Sequence, residues 1–143
     1  MRNVILAGLV VALLGAVSPA EAAVRIAGSP GGRIGDFLLR YMQLAETGER
    51  VVIDGPCLSA CTLVLGMVPR ERICVTSRAV LGFHAAWMPD GRGRRLTHAG
   101  ATHMMMETYP YPVRAWIRRK GGLTRRTILL HGRELARLYP RCG

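Results

Sequence analysis

The stretch Gly55-Pro56-Cys57-Leu58-Ser59-Ala60-Cys61-Thr62, which we call the elbow, decides the fold of this chain. It follows the run at residues 51–54 and leads into a second apolar run that ends at Met67. This pattern predicts a buried strand, a tight turn and then an apolar helix. A serine at such a turn exposes its hydroxyl beside the first free N–H groups of a helix. Ser59 is therefore a candidate nucleophile, with the role of a helix N-cap as the alternative.

Residues 1–22 have the pattern of a secretory signal peptide. Arg2 gives a positively charged start, residues 4–17 are apolar, and Ala20-Glu21-Ala22 has the small residues of a cleavage site. A retained membrane anchor is the alternative, but the apolar run is short for a span and contains glycines. We therefore predict an exported protein, periplasmic or secreted, in which residues 23–143 form a single α/β domain.

Four cysteines follow this segment, at Cys57, Cys61, Cys74 and Cys142. An even number of cysteines in an exported chain predicts two disulfides, for which three pairings exist. Our hypothesis is that the elbow helix packs on the next strand, which would pair Cys61 with Cys74 and Cys57 with Cys142. The spacing does not match a zinc knuckle, so we predict no metal and no cofactor.

The chain is strongly basic, with 20 Lys and Arg residues against 9 Asp and Glu residues. The positive charges cluster at residues 92–95, 118–120 and 125–126. No aromatic RNA-binding motif interleaves these clusters, so we predict no nucleic-acid partner. Contact with an anionic envelope surface is a better candidate. A solvated basic face is the simpler interpretation.

Strands and helices alternate along the rest of the chain. A strand at residues 24–27 and the turn Ser29-Pro30-Gly31-Gly32 precede a helix from Ile34 that ends at Gly48. After the elbow, the pattern predicts strands at 73–76 and 79–84, a loop or hairpin at 88–95, helical segments at 99–109 and 113–118, and short helices at 124–130 and 133–138. This alternation predicts a small, mostly parallel sheet with βα repeats.

Three further features bear on the chemistry of Ser59. His84 ends a predicted strand, at the sheet edge where parallel strands place ligand-binding side chains, and is a candidate base. Gly31-Gly32 is a second glycine turn after a strand, whose N–H groups can approach an anionic centre. Glu134 is the acid that we nominate to orient the histidine.

Together these motifs resemble the proteolytic subunit of the Clp protease, which has the Clp/crotonase fold. The Ser-Pro-Gly-Gly turn, the Ser59-Ala60 turn and the run from Arg72 to His84 occur in the order and at the approximate separations of that family. The chain looks more closely like the small exported Clp-protease-like proteins of bacteria, which have a Gly-Pro-Cys-x-Ser-Ala-Cys elbow and a Gly-Phe-His strand end. The family's first strand–helix–strand unit has no counterpart here, so the expected fold is reduced at its N-terminus.

The resemblance implies a serine peptidase that acts without ATP on a peptide or a small ester. Ser59 would be the nucleophile and His84 the general base, and the backbone N–H groups of Gly32 and Ala60 would form the oxyanion hole. In the family, the segment equivalent to residues 88–120 stacks rings of subunits face to face. A homo-oligomer is therefore a further expectation.

The acid of the triad is where the resemblance departs from the family. Glu134 stands where the family has an aspartate, and His131 and Asp90 are the alternatives to it. A solvated Glu134 paired with a nearby arginine is the competing interpretation.

A non-catalytic secreted binding module is the alternative function. In that case Ser59 caps the helix, His84 packs at the strand end, and the basic surface binds a partner. A disulfide between Cys57 and Cys61 would favour this alternative.

Overall fold

A computed structural model describes residues 22–143, so that all but the last residue of the predicted signal peptide lies outside the described residues. The strands are β1 (Ala23–Ile26), β2 (Arg50–Ile53), β3 (Pro56–Leu58), β4 (Ile73–Val75), β5 (Val80–Phe83), β6 (Trp87–Pro89), β7 (Arg95–Thr97) and β8 (Ile128–His131). The helices are α1 (Ile34–Thr47), α2 (Val64–Met67), α3 (Ala99–Thr108), α4 (Tyr111–Arg119) and α5 (Gly132–Leu138), with 3-10 turns at Ser59–Leu63 and Arg70–Arg72. None of the helices in this part of the chain is long and apolar enough to cross a membrane.

The strands form two three-stranded sheets and a separate hairpin. The first sheet is parallel in the order β1–β2–β4, and in the second β3 pairs in parallel with β5. β8 joins the other edge of β5 in the antiparallel direction, and β6 and β7 form the hairpin. A bridge between Ser29 and Cys57 brings the chain after β1 alongside β3. The predicted α/β class is observed, while the Clp/crotonase fold remains a prediction.

Two strands replace elements that the sequence pattern predicted differently. Pro56–Leu58 was expected to be part of the turn and instead forms β3, with the proline at its first position, where strands accept one. Residues 124–130 were expected to be helical, but β8 occupies Ile128–His131. Pairing with β5 buries Leu130 completely, and this tertiary contact outweighs the weak local signal for a helix.

A single hydrophobic core surrounds β5 and holds its carboxyl end in place. The ring of Phe83 meets Tyr109 of the α3–α4 junction edge-on, with 5.3 Å between the ring centroids, and lies 5.7 Å from the ring of Trp116 in α4. All three side chains are buried. The residue that follows Phe83 is therefore attached to a rigid strand.

Both disulfides join other cysteines than those we predicted. Cys57 is bonded to Cys61, with 5.3 Å between their Cα atoms, and Cys74 is bonded to Cys142. The pairing of Cys61 with Cys74 and of Cys57 with Cys142 is wrong because the 3-10 turn carries Cys61 back over Cys57. The C-terminal segment runs beside β4, where the N–H of Cys142 donates to the carbonyl of Val75, and this places Cys142 against Cys74. Two disulfides indicate an oxidising environment outside the cytoplasm.

Asp54, the last residue before the elbow, is a buried carboxylate with three side-chain partners. It is 5% exposed, forms salt bridges with Arg25 of β1 and with Arg78, and accepts a hydrogen bond from Thr76 Oγ1 at 2.7 Å. The hydrogen bonds from Arg78 and Thr76 hold the pKa of Asp54 well below its usual range. The cluster joins the end of β2 to β1 and to the turn after β4.

Replacing both Cys74 and Cys142 with alanine should lower the free energy of unfolding by about 4 kcal/mol, because this disulfide closes a loop of 68 residues. The corresponding replacement of Cys57 and Cys61 opens a separation of 4 residues and should cost about 2 kcal/mol. Urea denaturation of the two double variants gives both values. Equal losses would contradict the loop-length argument, and peptide mapping without reduction checks the pairing itself.

Asp54→Asn should lower the melting temperature at neutral pH and have a much smaller effect in acid. The pKa of Asp54 is lower in the folded than in the unfolded protein, so its stabilisation is complete above the ordinary carboxyl pKa of about 4. That stabilisation is lost as the pH falls toward the lowered folded-state pKa. Thermal melts of both proteins between pH 7 and pH 2 would show this convergence, with Glu107→Gln in an exposed ion pair as the control. A difference that is independent of pH would contradict the prediction.

Candidate active site

Ser59 lies at the sharp turn between β3 and the 3-10 turn, in a conformation that favours glycine. Its φ is +56°, and among residues 22–143 it is the only residue other than glycine with a positive φ. Such a backbone costs about 1–2 kcal/mol for a residue with a side chain. Strained strand-to-helix turns of this kind present the nucleophile of many serine hydrolases.

The alternative of a helix-capping serine does not agree with this geometry. The N-cap position belongs to Leu58, and Ser59 is already the first residue of the 3-10 turn. Within the described part of the chain, Ser59 uses its backbone carbonyl as an acceptor, and its Oγ makes no hydrogen bond. The hydroxyl is therefore available for chemistry.

Buried hydroxyl groups hold the turn around Ser59. Thr62 Oγ1 donates to the carbonyl of Ser59 at 2.7 Å, and so it accepts from the hydroxyl of Tyr109 at 2.6 Å. Tyr41 of α1 donates to the carbonyl of Cys61 at 2.9 Å. Burial raises the pKa of Tyr41 to about 12 and raises the pKa of Tyr109 as well, so both phenols remain donors. The Cys57–Cys61 disulfide closes the same turn covalently.

The glycine turn after β1 packs directly against the elbow. Ser29 donates its N–H to the carbonyl of Pro56 at 2.7 Å and accepts from the N–H of Leu58 at 2.9 Å. Gly31 has a φ of +86°, and a Cβ on it would lie 2.6 Å from both the Leu58 carbonyl oxygen and the Cβ of Ser59. Only glycine allows this approach.

The backbone groups that were predicted to form an oxyanion hole therefore belong to two segments in contact. The Cβ position of Gly31 is 3.2 Å from the nitrogen of Ala60, and Gly32 is the next residue in the turn. Among the backbone hydrogen bonds outside the helices and strands of residues 22–143, none uses the N–H of Gly32 or of Ala60, and Ala60 lies in the first turn of the 3-10 segment, where N–H groups have no partner within the helix. Both donors are available to a ligand.

His84 follows the last residue of β5, on the strand adjacent to the elbow. In the parallel register Leu58 lies opposite Gly82, so Ser59 and His84 both follow the carboxyl ends of neighbouring strands. The ring is half-buried, and its Nδ1 lies 2.8 Å from the carbonyl oxygen of Ala85. Because a carbonyl only accepts, Nδ1 carries the hydrogen and Nε2 is left as an acceptor. In the described residues no hydrogen bond joins this ring to Ser59 Oγ, a bond that often forms only when substrate is present.

The structure does not bring Glu134 to His84. β8 runs antiparallel to β5 with His131 opposite Val80, four residues before His84 and hence roughly 13 Å away along the strand. Glu134 lies beyond His131 in α5 and forms a salt bridge with Lys120 at 3.2 Å. The hydrogen bond from Lys120 lowers the pKa of Glu134. Glu134 is therefore paired with a cation, as the competing interpretation expects, but the cation is Lys120 and not an arginine.

The two alternative partners for the histidine are not placed beside it either. His131 is at the far end of β5, as its register shows. Asp90 accepts hydrogen bonds from the N–H groups of Arg92 and Arg94, both at 2.8 Å, and so it shapes the loop of the β6–β7 hairpin. The group that contacts the His84 ring is the Ala85 carbonyl.

A groove of about 660 Å³ opens beside His84. It is lined by His84, Ala85, Trp87, Arg94, Arg95, Leu96, Thr97, Arg125 and Thr127. The guanidinium of Arg95 stacks over the ring of Trp87 at 4.3 Å, and Arg125 donates to the backbone carbonyl of Arg95 at 2.8 Å. In the described residues we find no group of three His, Cys, Asp or Glu side chains that could hold a metal ion.

Arginines from the clusters at 92–95 and 125–126, which the sequence predicts to lie on a solvated face, line this groove. They come together because β8 pairs with β5, and β8 was predicted to be helical. The signal that would have been consistent with a strand is the short apolar run Ile128-Leu129-Leu130, which is bounded by Gly132.

No model of a known protein family matches this chain, and no curated protein matches it significantly.

Tyr109→Phe should lower the free energy of unfolding by about 1 kcal/mol, because it removes the buried donor to Thr62. Tyr111→Phe is the matched control, since Tyr111 is 69% exposed and its hydroxyl faces water. Chemical denaturation of both variants measures the difference. Equal stability of the two variants would show that the Thr62–Tyr109 hydrogen bond does not support the elbow.

Proposed function

We propose that this protein is an exported serine hydrolase, of the peptidase type and the Clp/crotonase fold. Ser59 is the nucleophile, His84 is the general base, and the N–H groups of Gly32 and Ala60 form the oxyanion hole. The substrate is a peptide or a small ester that reaches the site without an ATP-driven partner.

The observation that carries the proposal is the strained backbone of Ser59 in contact with the glycine turn. A positive φ at a residue with a side chain is maintained only where the surrounding structure enforces it. Here two tyrosines, a threonine and a disulfide enforce it, and the hydroxyl that results has no structural hydrogen bond. Strain of this kind with a free nucleophile points to catalysis.

The reaction uses a dyad in place of a full triad. Nε2 of His84 takes the proton of Ser59 Oγ as the oxygen attacks the substrate carbonyl, and later gives it to the leaving group. The Ala85 carbonyl fixes the required tautomer by accepting from Nδ1. A carbonyl carries no full charge, so it stabilises the imidazolium less than a carboxylate does. We therefore expect slower turnover than in enzymes with a buried aspartate.

The oxyanion hole contributes the electrostatic part of the catalysis. Two backbone donors from separate segments can bind the developing negative charge without any rearrangement of side chains. Loss of a single donor of this kind typically costs 10²–10³-fold in rate, as an order of magnitude. The close packing of Gly31 on the elbow is what would hold the two donors at a fixed separation.

A non-catalytic binding module is the second candidate, and the Cys57–Cys61 disulfide is the observation that favours it. This bond closes the elbow covalently, so a purely structural need for a rigid turn would account for the shape of the elbow. In this case Ser59→Ala would leave the biological role of the protein intact.

A fluorophosphonate probe distinguishes the two candidates, because it reacts with activated serines and not with ordinary ones. We expect the oxidised wild-type protein to be labelled at Ser59, which mass spectrometry of the labelled peptide would locate. Ser59→Ala should abolish labelling and His84→Ala should reduce it by about 10²-fold or more, the usual contribution of a general base.

Ser77→Ala is the control for this experiment, since Ser77 is an exposed serine in the turn after β4. It should be labelled as fast as the wild type. Absence of labelling in folded wild-type protein, or equal labelling of the Ser59→Ala variant, would favour the binding module.

A further inference from the structure

The groove beside His84 has an excess of positive charge that no neighbouring side chain neutralises. Arg94 is paired with Asp90, with 2.7 Å between Nε and Oδ2. Among the salt bridges of residues 22–143, none involves Arg95 or Arg125, and no acidic residue lines the groove. Two guanidinium groups are therefore left for a ligand.

Both of these arginines are nevertheless held in place. Arg95 lies over the face of the Trp87 ring, a contact that holds its guanidinium in place, and no hydrogen bond of residues 22–143 uses the side-chain N–H donors of Arg95. Arg125 donates through one Nη to the backbone carbonyl of Arg95. The contacts that orient the pair are made to neutral groups, so its charge is retained.

The other residues that line the groove determine which class of anion it can bind. Trp87, Leu96 and Ala85 contribute apolar surface, and two threonines contribute hydroxyls. The volume of about 660 Å³ corresponds to a short stretch of a ligand and is typical of small-molecule sites. A long polyanion would require a continuous basic track, whereas this groove joins a small number of charges to an apolar wall.

We propose that the groove binds a peptide that carries a carboxylate, and that Arg95 and Arg125 recognise the carboxylate by charge-assisted hydrogen bonds. His84 is part of the same lining and Ser59 is not, so the bound carboxylate would lie beside the base and outside the elbow. Under the proposed function, on which this step rests, the enzyme prefers acidic peptides. An acidic side chain would occupy the groove while the peptide carbonyl faces Ser59.

Calorimetric titration tests the binding without relying on catalysis. The probes are two capped pentapeptides, Ac-Ala-Leu-Glu-Leu-Ala-NH₂ and its glutamine counterpart, and the protein is the Ser59→Ala variant with its disulfides intact. We expect the glutamate peptide to bind about tenfold more tightly, in line with the strength of charge-assisted hydrogen bonds. Replacing Arg95 and Arg125 together with glutamine should remove this preference.

Arg118→Gln with Arg119→Gln is the matched control, because both side chains are exposed on α4 and the net charge changes by the same amount. It should keep the tenfold preference, which separates a specific site from general attraction by a basic protein. Circular dichroism melts establish that each double variant is folded before it is titrated.

Equal affinity for the two peptides would overturn the proposal, as would a loss in the control variant that equals the loss in the groove variant. Tighter binding of anionic phospholipid vesicles or dextran sulfate through the same two arginines would also overturn it, because the ligand would then be a surface or a polymer. Peptide binding without fluorophosphonate labelling would refute only the hydrolase. Labelling without peptide binding would refute only the carboxylate groove.

Discussion

The buried carboxylate of Asp54 fixes the point from which the elbow starts. A buried charge is tolerated only with partners, and here Arg25 reaches it from β1 while Thr76 and Arg78 reach it from the turn after β4. Both arginines keep most of their side chains in water, so only the carboxylate is desolvated. The end of β2 is thereby fastened to β1 and to the turn after β4, and the short β3 leaves this junction in a defined direction.

The candidate site is a consequence of that junction together with the buried hydroxyl groups. β3 and β5 run in parallel, so their carboxyl ends bring Ser59 and His84 to the same edge of the sheet. The glycine turn after β1 reaches that edge because its residues pair with β3. The proposed chemistry needs a nucleophile, a base and two free N–H donors, and these come from three segments: the elbow (Ser59 and Ala60), the glycine turn (Gly32) and the end of β5 (His84). Their convergence depends on strand pairing and not on proximity in sequence.

Local sequence signals were sufficient for the elements that carry the proposed catalytic groups. The strands β1, β2, β4 and β5, the helix α1 and the glycine turn were predictable because apolar runs and glycines mark them in the sequence, whereas β3 was not. The pairing of Cys57 with Cys61 was missed because it depends on the tight winding of a 3-10 turn. The distance of Glu134 from His84 was missed because it depends on the direction of β8. Because residues 124–130 were predicted to be a helix, neither the direction of β8 nor the groove beside His84 could be predicted.

The two disulfides also impose an order on oxidative folding. Cys57 and Cys61 are 4 residues apart, and loops of about ten residues close within ~10–100 ns, so these thiols meet as soon as the elbow enters an oxidising compartment. Cys142 is made 68 residues after Cys74 and cannot meet it earlier. Early formation of the Cys57–Cys61 disulfide removes two thiols with which Cys74 could otherwise pair before Cys142 is made. The spacing of the cysteines thus acts as a kinetic protection against mispairing.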